Sequence, residues 1–212
     1  MKELLEIFDL KQNFLKIQER VSFYEEIENE FYQEGNISKK IKVVNVLILN
    51  SKGRIYLQKR SLLKSQNSGL YDKTVGGHVN CSQSYDVTVI KECAEELGFP
   101  VAVIKKEEFE ETLKSVNLTT IGLVTQISVD ENFISKRILK DNSYFNQPTI
   151  NAIYIGYYDG SIRFIDGESS GIEVMSIEEL VNEIKENPNK FTEDLKYLVK
   201  NYKQNLKAIE NY

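Results

Sequence analysis

The chain has 212 residues, 41% hydrophobic and 28% charged, with a formal net charge of −5; this suits one globular domain with elaborations and argues against a nucleic-acid polymer as the main partner. No apolar run reaches the length of a membrane span, and the acidic N-terminus MKELLEIFDLKQ does not have the form of a signal peptide. Two cysteines, Cys81 and Cys93, make no disulfide framework, so the expected setting is reducing and cytoplasmic, with no membrane partner.

Leu4, Leu5, Ile7, Phe8 and Leu10 predict a strand within residues 3–10, and Lys11-Gln12-Asn13 a turn to a hairpin partner over 14–17. Ser22 is placed to cap a helix over 23–32, with Glu25 in the capping-box position, and Gly35-Asn36 ends it. Residues 1–40 are therefore expected to be an accessory hairpin and helix, and a candidate contact for a homodimer, ahead of a main domain over 41–212. Residues 41–49 (IKVVNVLIL) are a nearly continuous apolar run of strand length. After a turn at 50–53, residues 54–59 alternate, with Ile55 and Leu57 on one face and Arg54, Tyr56 and Gln58 on the other. The two runs are expected to pair as a hairpin. Lys59, Arg60 and Lys64 cluster at its end. Charges at a strand end are ordinarily solvated; here they are also candidates for a phosphate contact.

Residues 68–75 lead into Gly76 and Gly77, with Tyr71 and Val75 expected to pack and Lys73 to point toward the glycines. The stretch 76–99, GGHVNCSQSYDVTVIKECAEELGF, runs from this glycine pair through a polar loop into an amphipathic helix. Ile90, Cys93, Ala94 and Leu97 share one helical face. Glu92, Glu95 and Glu96 share the opposite one, because positions three and four apart are neighbours. Gly98 is placed to end the helix in a left-handed cap. A glutamate-rich face is ordinarily a solvated surface, yet clustered carboxylates also suit a hard cation such as Mg²⁺, which takes oxygen ligands. His78 is the chain's single histidine and is read as a structural hydrogen-bonding residue.

Beyond the glycines, residues 101–104 predict a short strand, 106–113 a helix and 118–129 a long strand. Residues 130–148 are less regular; they are either part of a hairpin or a loop over the site, with Lys136, Arg137 and Lys140 as cations within reach of phosphate. Strands follow at 149–158, 161–165 and 173–175, with turns between. Ser176 caps a helix over 177–185, with Glu179 three residues on. Asn187-Pro188-Asn189 breaks it, and Thr192 caps a final amphipathic helix carrying Leu195, Leu198, Val199 and Tyr202.

The order from Gly77 through Glu92, Cys93, Glu95 and Glu96 to Gly98 and Phe99 resembles the Nudix box. Two positions depart: Gln83 stands where the family has Glu, and Lys91 where it has Arg. The resemblance extends over about residues 41–205 and implies an α/β (α+β) Nudix fold, a mixed β-sheet sandwiched between helices, here with a short N-terminal extension. It implies an enzyme: a Mg²⁺-dependent pyrophosphohydrolase, with Mn²⁺ as an alternative cofactor, cleaving a diphosphate linkage in a small nucleotide-like substrate. Glu92 and Glu96 are its implied metal ligands, and Glu95 a third ligand or the base that orients water. Gly76, Gly77, Lys59, Arg60 and Lys73 are the implied substrate-binding residues. A base from a later loop, Glu168 or Glu173, is the other option. Gln83 removes one carboxylate, so weakened activity is expected, and a Gln83–Lys91 hydrogen bond is expected to hold the loop. A non-catalytic Nudix domain binding a nucleotide or an ADP-ribose-like ligand stays open. The lead into the box also resembles isopentenyl-diphosphate isomerase, whose Cys-Gly-His-Pro is here Gly76-Gly77-His78-Val79; without that cysteine, and with one histidine, isomerase chemistry is the less favoured reading.

Overall fold

The computed structural model describes residues 2–163 and 169–209. The chain begins with β1 (Leu4–Asp9), β2 (Phe14–Glu19), α1 (Arg20–Glu34), β3 (Lys39–Leu49) and β4 (Ile55–Arg60). Then come β5 (Tyr71–Asp72), β6 (Val75–His78), α2 (Tyr85–Leu97), β7 (Val101–Val103) and α3 (Lys106–Leu113). The remainder is β8 (Gly122–Ile138), β9 (Tyr144–Tyr157), β10 (Ser169–Met175), α4 (Ile177–Glu186) and α5 (Glu193–Tyr202). This is the expected mixed α+β architecture. The main path of the sheet runs β10-β4-β3-β9-β8-β7, with β3 parallel to β9 and β7 parallel to β8.

β3 organises the sheet because it is apolar on both faces, as a strand covered on both sides must be. Along one edge it pairs with β9 from Ile41 to Leu49. Along the other it meets three partners in turn: β1 at Lys39–Ile41, β6 at Val43–Val46 and β4 at Leu49. The expected β3–β4 hairpin is therefore splayed, with one residue pair in register. Thr74 accounts for the opening. Its buried hydroxyl accepts from Ile48 N at 2.9 Å and donates to Tyr56 O at 2.6 Å, standing between the two strands in place of a ladder.

Three hydrophobic cores follow. Val44, Val46 and Ile48 of β3 pack with Val89, Cys93 and Leu97 of α2. Leu47 and Leu49, on the opposite face, pack with Phe109 of α3, Leu180 of α4 and Leu195 of α5. Leu5 and Ile7 pack with Phe23 and Ile27 of α1 and with Ile41 of β3.

Several elements depart from the sequence pattern. α1 starts at Arg20 rather than after Ser22; its N-cap is Glu19, and the Arg20 amide donates to Glu3 O at 2.9 Å, so hairpin pairing sets the start instead of a side-chain cap. Residues 130–148 are not a loop. β8 continues to Ile138 and returns as β9, with register shifts at 126–128 and 130–133 that break its apolar alternation. Residues 161–163 form no strand, and 164–165 lie outside the described residues. On α2 the buried stripe is Val89, Cys93 and Leu97, while Ile90 is 42% exposed and Ala94 is exposed. The rotation brings Glu96 to the edge of the buried face, only 4% exposed. The caps of the last two helices stand as read: Ser176 with Glu179 forms a capping box, and Thr192 accepts from Leu195 N.

Candidate active site

A cavity of about 600 Å³ opens where β4 leaves β3 and β6 takes its place. The end of α2 forms one side. Ser84 caps this helix by accepting from Val87 N, and Gly98 ends it at φ 70°, a conformation glycine adopts without a Cβ penalty. The helix thereby presents Glu92, Glu95 and Glu96 to the cavity.

The three carboxylates sit in different environments. Glu96 is buried, and Gln58 of β4 donates to its Oε2 at 3.0 Å. Glu92 lies against the backbone of Gly77: a Cβ there would stand 2.5 Å from the Glu92 Cδ. Glycine at 77 therefore leaves the space that the Glu92 side chain occupies against β6. Glu95 is 57% exposed and pairs with Lys91 at 3.3 Å. Lys91 also lies 3.9 Å from Glu92. It is Glu95 and Glu92 that hold Lys91, and the expected bond from Lys91 to Gln83 is absent among the described residues. Gln83 instead fixes the loop through its backbone N–H, which donates to Asn80 O at 3.0 Å.

Cations collect across the cavity. Arg60 pairs with the buried Asp72 at 3.3 Å. Lys73 pairs with Asp194 of α5 at 3.1 Å, and Ser135 of β8 donates to both oxygens of the same Asp194 at 2.7 and 2.8 Å. Thr192 donates to Asp72 at 2.7 Å, so the cap of α5 is tied to the cavity floor. Burial raises the Asp72 carboxyl, but Lys73 and Arg60 outweigh it and hold it at about 2. Lys64, Arg20 and Arg137 complete the cationic lining. His78 is held well below its ordinary value, first by burial and then by the positive charges of Arg20, Arg137, Lys73 and Lys64. It is neutral, and Tyr24 of α1 shares a hydrogen bond with its Nε2 at 2.8 Å.

Of the residues read from sequence, Glu92, Glu95, Glu96, Arg60, Lys73, Gly76 and Gly77 come together here. Lys59 does not. It follows the alternation of β4 away from the cavity and lies 5.3 Å from the Tyr71 ring centroid. Glu173 is exposed on β10 and does not reach the cavity, and Glu168 lies outside the described residues. His78 keeps the structural hydrogen bond expected of it, yet it also lines the cavity. Sequence reasoning missed Glu3, Arg20 and Tyr24 as lining residues. Their hairpin and helix are joined to β3 and wall the cavity rather than standing apart from it.

The donor set fits a hard divalent cation in kind: carboxylate oxygens one helical turn apart, on a water-accessible wall. Among the described residues, however, no three acidic, histidine or cysteine side chains stand gathered as a finished metal centre. Lys91 pairs with Glu95 and lies near Glu92, while Gln58 engages Glu96. Cys93 is buried with its thiol pushed up by burial, which leaves it an inert packing group.

The NUDIX domain family model matches residues 39–195. Isopentenyl-diphosphate Delta-isomerase of Serratia proteamaculans is 23% identical over 193 residues, covering 91% of this chain and 87% of that protein. An uncharacterized Nudix hydrolase of Pseudomonas aeruginosa is 34% identical over 61 residues, covering 29% of this chain and 36% of its own. Among solved structures, DR0079 from Deinococcus radiodurans superposes with a TM-score of 0.62 at 18% identity, covering 93% of this chain and 98% of that one. A bifunctional NMN adenylyltransferase/ADP ribose pyrophosphatase from Francisella tularensis, complexed with AMP and Mn ion, superposes with a TM-score of 0.51 at 14% identity, covering 88% of this chain and 47% of that one.

Proposed function

The chain belongs to the Nudix family, and from that premise we propose that it is a divalent-metal-dependent hydrolase cleaving a diphosphate linkage in a nucleoside diphosphate derivative. One observation carries the reading: three carboxylates of a single helix face a cluster of cations across one cavity. A diphosphate needs both, cations for its non-bridging oxygens and a metal to neutralise developing charge.

Glu92 and Glu96 would hold the cation, with Glu95 as third ligand or as the base that orients water. A bound Mg²⁺ or Mn²⁺ supplies charge neutralisation at phosphate and lowers the pKa of a bound water. Gln58 keeps the Glu96 carboxylate in one orientation, as partners behind a metal ligand do. Arg60 and Lys73 bind phosphate oxygens, and their pairing with Asp72 and Asp194 holds both cations in place before substrate arrives. Gly76 and Gly77 leave room on β6 for the Lys73 and Glu92 side chains to lie close against the backbone beside the substrate.

The test is product release from a panel of nucleoside diphosphate derivatives, with and without Mg²⁺ or Mn²⁺, on wild type and on Glu96→Gln. The expected result is metal-dependent turnover that falls by at least about a hundredfold in the variant, since a metal ligand carries several kcal/mol of transition-state stabilisation. No metal-dependent turnover by wild type on any member rejects the hydrolase. A second reading, a binding module for a nucleotide or ADP-ribose-like ligand, draws on Gln83 in place of a box carboxylate and on the carboxylates standing apart. Ligand-induced thermal stabilisation without turnover is its signature. The isomerase relative raises prenyl diphosphate as a third substrate to include, against Gly76 at the cysteine position.

A further inference from the structure

One face of the sheet changes character where it reaches the cavity. Paired residues of neighbouring strands point to the same face, so Val43, Asn45 and Leu47 of β3 share a face with Thr149, Asn151 and Ile153 of β9. Toward one end this face is apolar, with Ile41, Val43 and Phe145 in the core against α1. Toward the other end it is apolar again, with Leu47, Leu49, Ile153 and Ile155 in the core under α4 and α5. Between them lies a band of Asn45, Gln147, Thr149 and Asn151, each at most 3% exposed. Ser135 of β8, opposite Gln147, continues it. A covered sheet face is ordinarily apolar, so a buried polar band calls for polar partners. Thr149 and Ser135 have them: Thr149 donates to Phe133 O at 3.4 Å, and Ser135 donates to Asp194. Asn45 does not. It lines the cavity, and its side chain forms no hydrogen bond among the described residues. Asn151, in the neighbouring strand, is fully buried with neither Nδ2 nor Oδ1 paired among the described residues.

The Asn45 amide lies beside a phosphate-binding cation. A Cβ built on Gly76 would stand 3.4 Å from Asn45 Oδ1 and 3.4 Å from Lys73 Nζ, so both groups border the same space. Gly77, the next residue, faces Glu92 instead. The polar band and the α2 carboxylates therefore lie on opposite faces of β6. An amide carries an acceptor beside its donors, and an ionised phosphate has no donor to offer that acceptor, whereas a hydroxyl both donates and accepts. We propose that Asn45 is a specificity-determining residue, hydrogen-bonded to a hydroxyl on a group esterified to the diphosphate that Lys73 binds. This rests on reading the cavity as the diphosphate-cleaving site, and it narrows the substrate class to diphosphate esters of hydroxylated, sugar-like groups. An alkyl or prenyl chain against this band would leave the amide desolvated and unpaired, the unfavourable case for a buried polar group.

The experiment is titration calorimetry of the full chain with two series of matched diphosphate esters, in Mg²⁺ and again in EDTA. One series sets nucleoside diphosphate hexoses against nucleoside diphosphate cyclohexyl esters, the same ring without hydroxyls. The other sets ribose against 2′,3′-dideoxyribose in the nucleoside, so the two series separate the ends of the ligand. Wild type is expected to bind the hydroxylated member about tenfold or more tightly in at least one series, the scale of a buried hydrogen bond left unmade. Asn45→Leu, close in size and without polar side-chain atoms, is expected to shrink that preference to within about twofold. It should also be at least as stable as wild type in a denaturant melt, because it removes an amide that the protein itself leaves unpaired. Equal affinity of wild type for both members in both series, or no binding of any, overturns the assignment. So does an Asn45→Leu variant that keeps the preference, or one less stable than wild type, which would make Asn45 a structural residue. The wild-type comparison needs no variant to fold. Absence of turnover with the preference intact would remove the hydrolase reading and leave the role of Asn45 standing; turnover without the preference would do the reverse.

Discussion

The two sides of the cavity are built in opposite ways. The acidic side is one helix: Glu92, Glu95 and Glu96 are placed by a single backbone, and their spacing is fixed by 3.6 residues per turn. The cationic side is gathered from α1, β4, the loop before β6 and β8, and its cations are held by carboxylate and amide partners from several elements, Asp72 serving both Arg60 and Lys73. A helix positions its groups as a set, so one backbone clash disturbs all of them. A gathered wall positions its groups through separate elements, so losing one disturbs only those that share its partner, as Arg60 and Lys73 share Asp72. Damage to the acidic side should therefore be collective and catalytic, and damage to the cationic side selective and confined to affinity for one part of the ligand.

Gly77→Ala tests the collective side and has the largest expected effect of the substitutions that remove no functional group. The added Cβ would meet the Glu92 side chain at 2.5 Å, at both Cγ and Cδ. Either Glu92 leaves its position or α2 lifts from β6. Overpacking of this kind costs about 1–3 kcal/mol. Both stability in a denaturant melt and divalent-cation affinity should fall together. A variant that loses cation affinity while keeping full stability would mean that Glu92 moves alone, and that the helix is not a rigid set.

This contrast also governs what could be read before the structure. The box from Gly77 to Gly98 is local, so periodicity alone groups its carboxylates, and all three reach the cavity. Arg60 and Lys73 were legible because they flank the same stretch of chain. Lys59 was not resolved from Arg60, because the strand alternation that separates them depends on where the ladder begins. Arg137 was recognised as a cation near phosphate, but not as part of a regular face: the register shifts at 126–128 and 130–133 break the period-two pattern of β8. From Phe133 onward the alternation is intact, and residues 133, 135 and 137 would have given the signal. Tyr24 and Asp194 depend on contacts more than fifty residues away in the chain, and Arg20 on a partner seventeen residues back across the hairpin, which no local pattern encodes.

A pH experiment probes the gathered side. His78 is held neutral by burial and then by the surrounding cations, with its pKa below 6.5. The unfolded chain takes up a proton near pH 6.5 that the folded chain refuses, so stability is lost as pH falls below that value. The slope approaches about 1.4 kcal/mol per pH unit at most. Asp72 and Glu26, both held at about 2, keep their stabilising contribution above about pH 5 and lose it as pH falls below that, under the window of about pH 5 to 7 where His titrates. Denaturant melts across that window should show wild type losing stability toward acid and His78→Gln losing less. Parallel curves for the two proteins would mean that neither burial nor the surrounding cations hold this side chain below its ordinary value.

The smallest effect expected lies away from both sides. Ser176 accepts from Glu179 N at 3.1 Å, and Glu179 accepts from Ser176 N at 2.7 Å, closing the start of α4. α4 contributes Leu180 to the core on the far face of β3 and nothing to the cavity. Ser176→Ala removes one capping bond and should cost about 1 kcal/mol, a shift of about 2–4 °C in Tm for a chain of this size. Turnover per folded molecule should not change, because α2 and the cationic side both reach β3 without α4. If turnover falls in step with stability, the layer under the sheet shapes the cavity as well, and Thr192, whose hydroxyl joins the cap of α5 to Asp72 at 2.7 Å, becomes the route by which it does so.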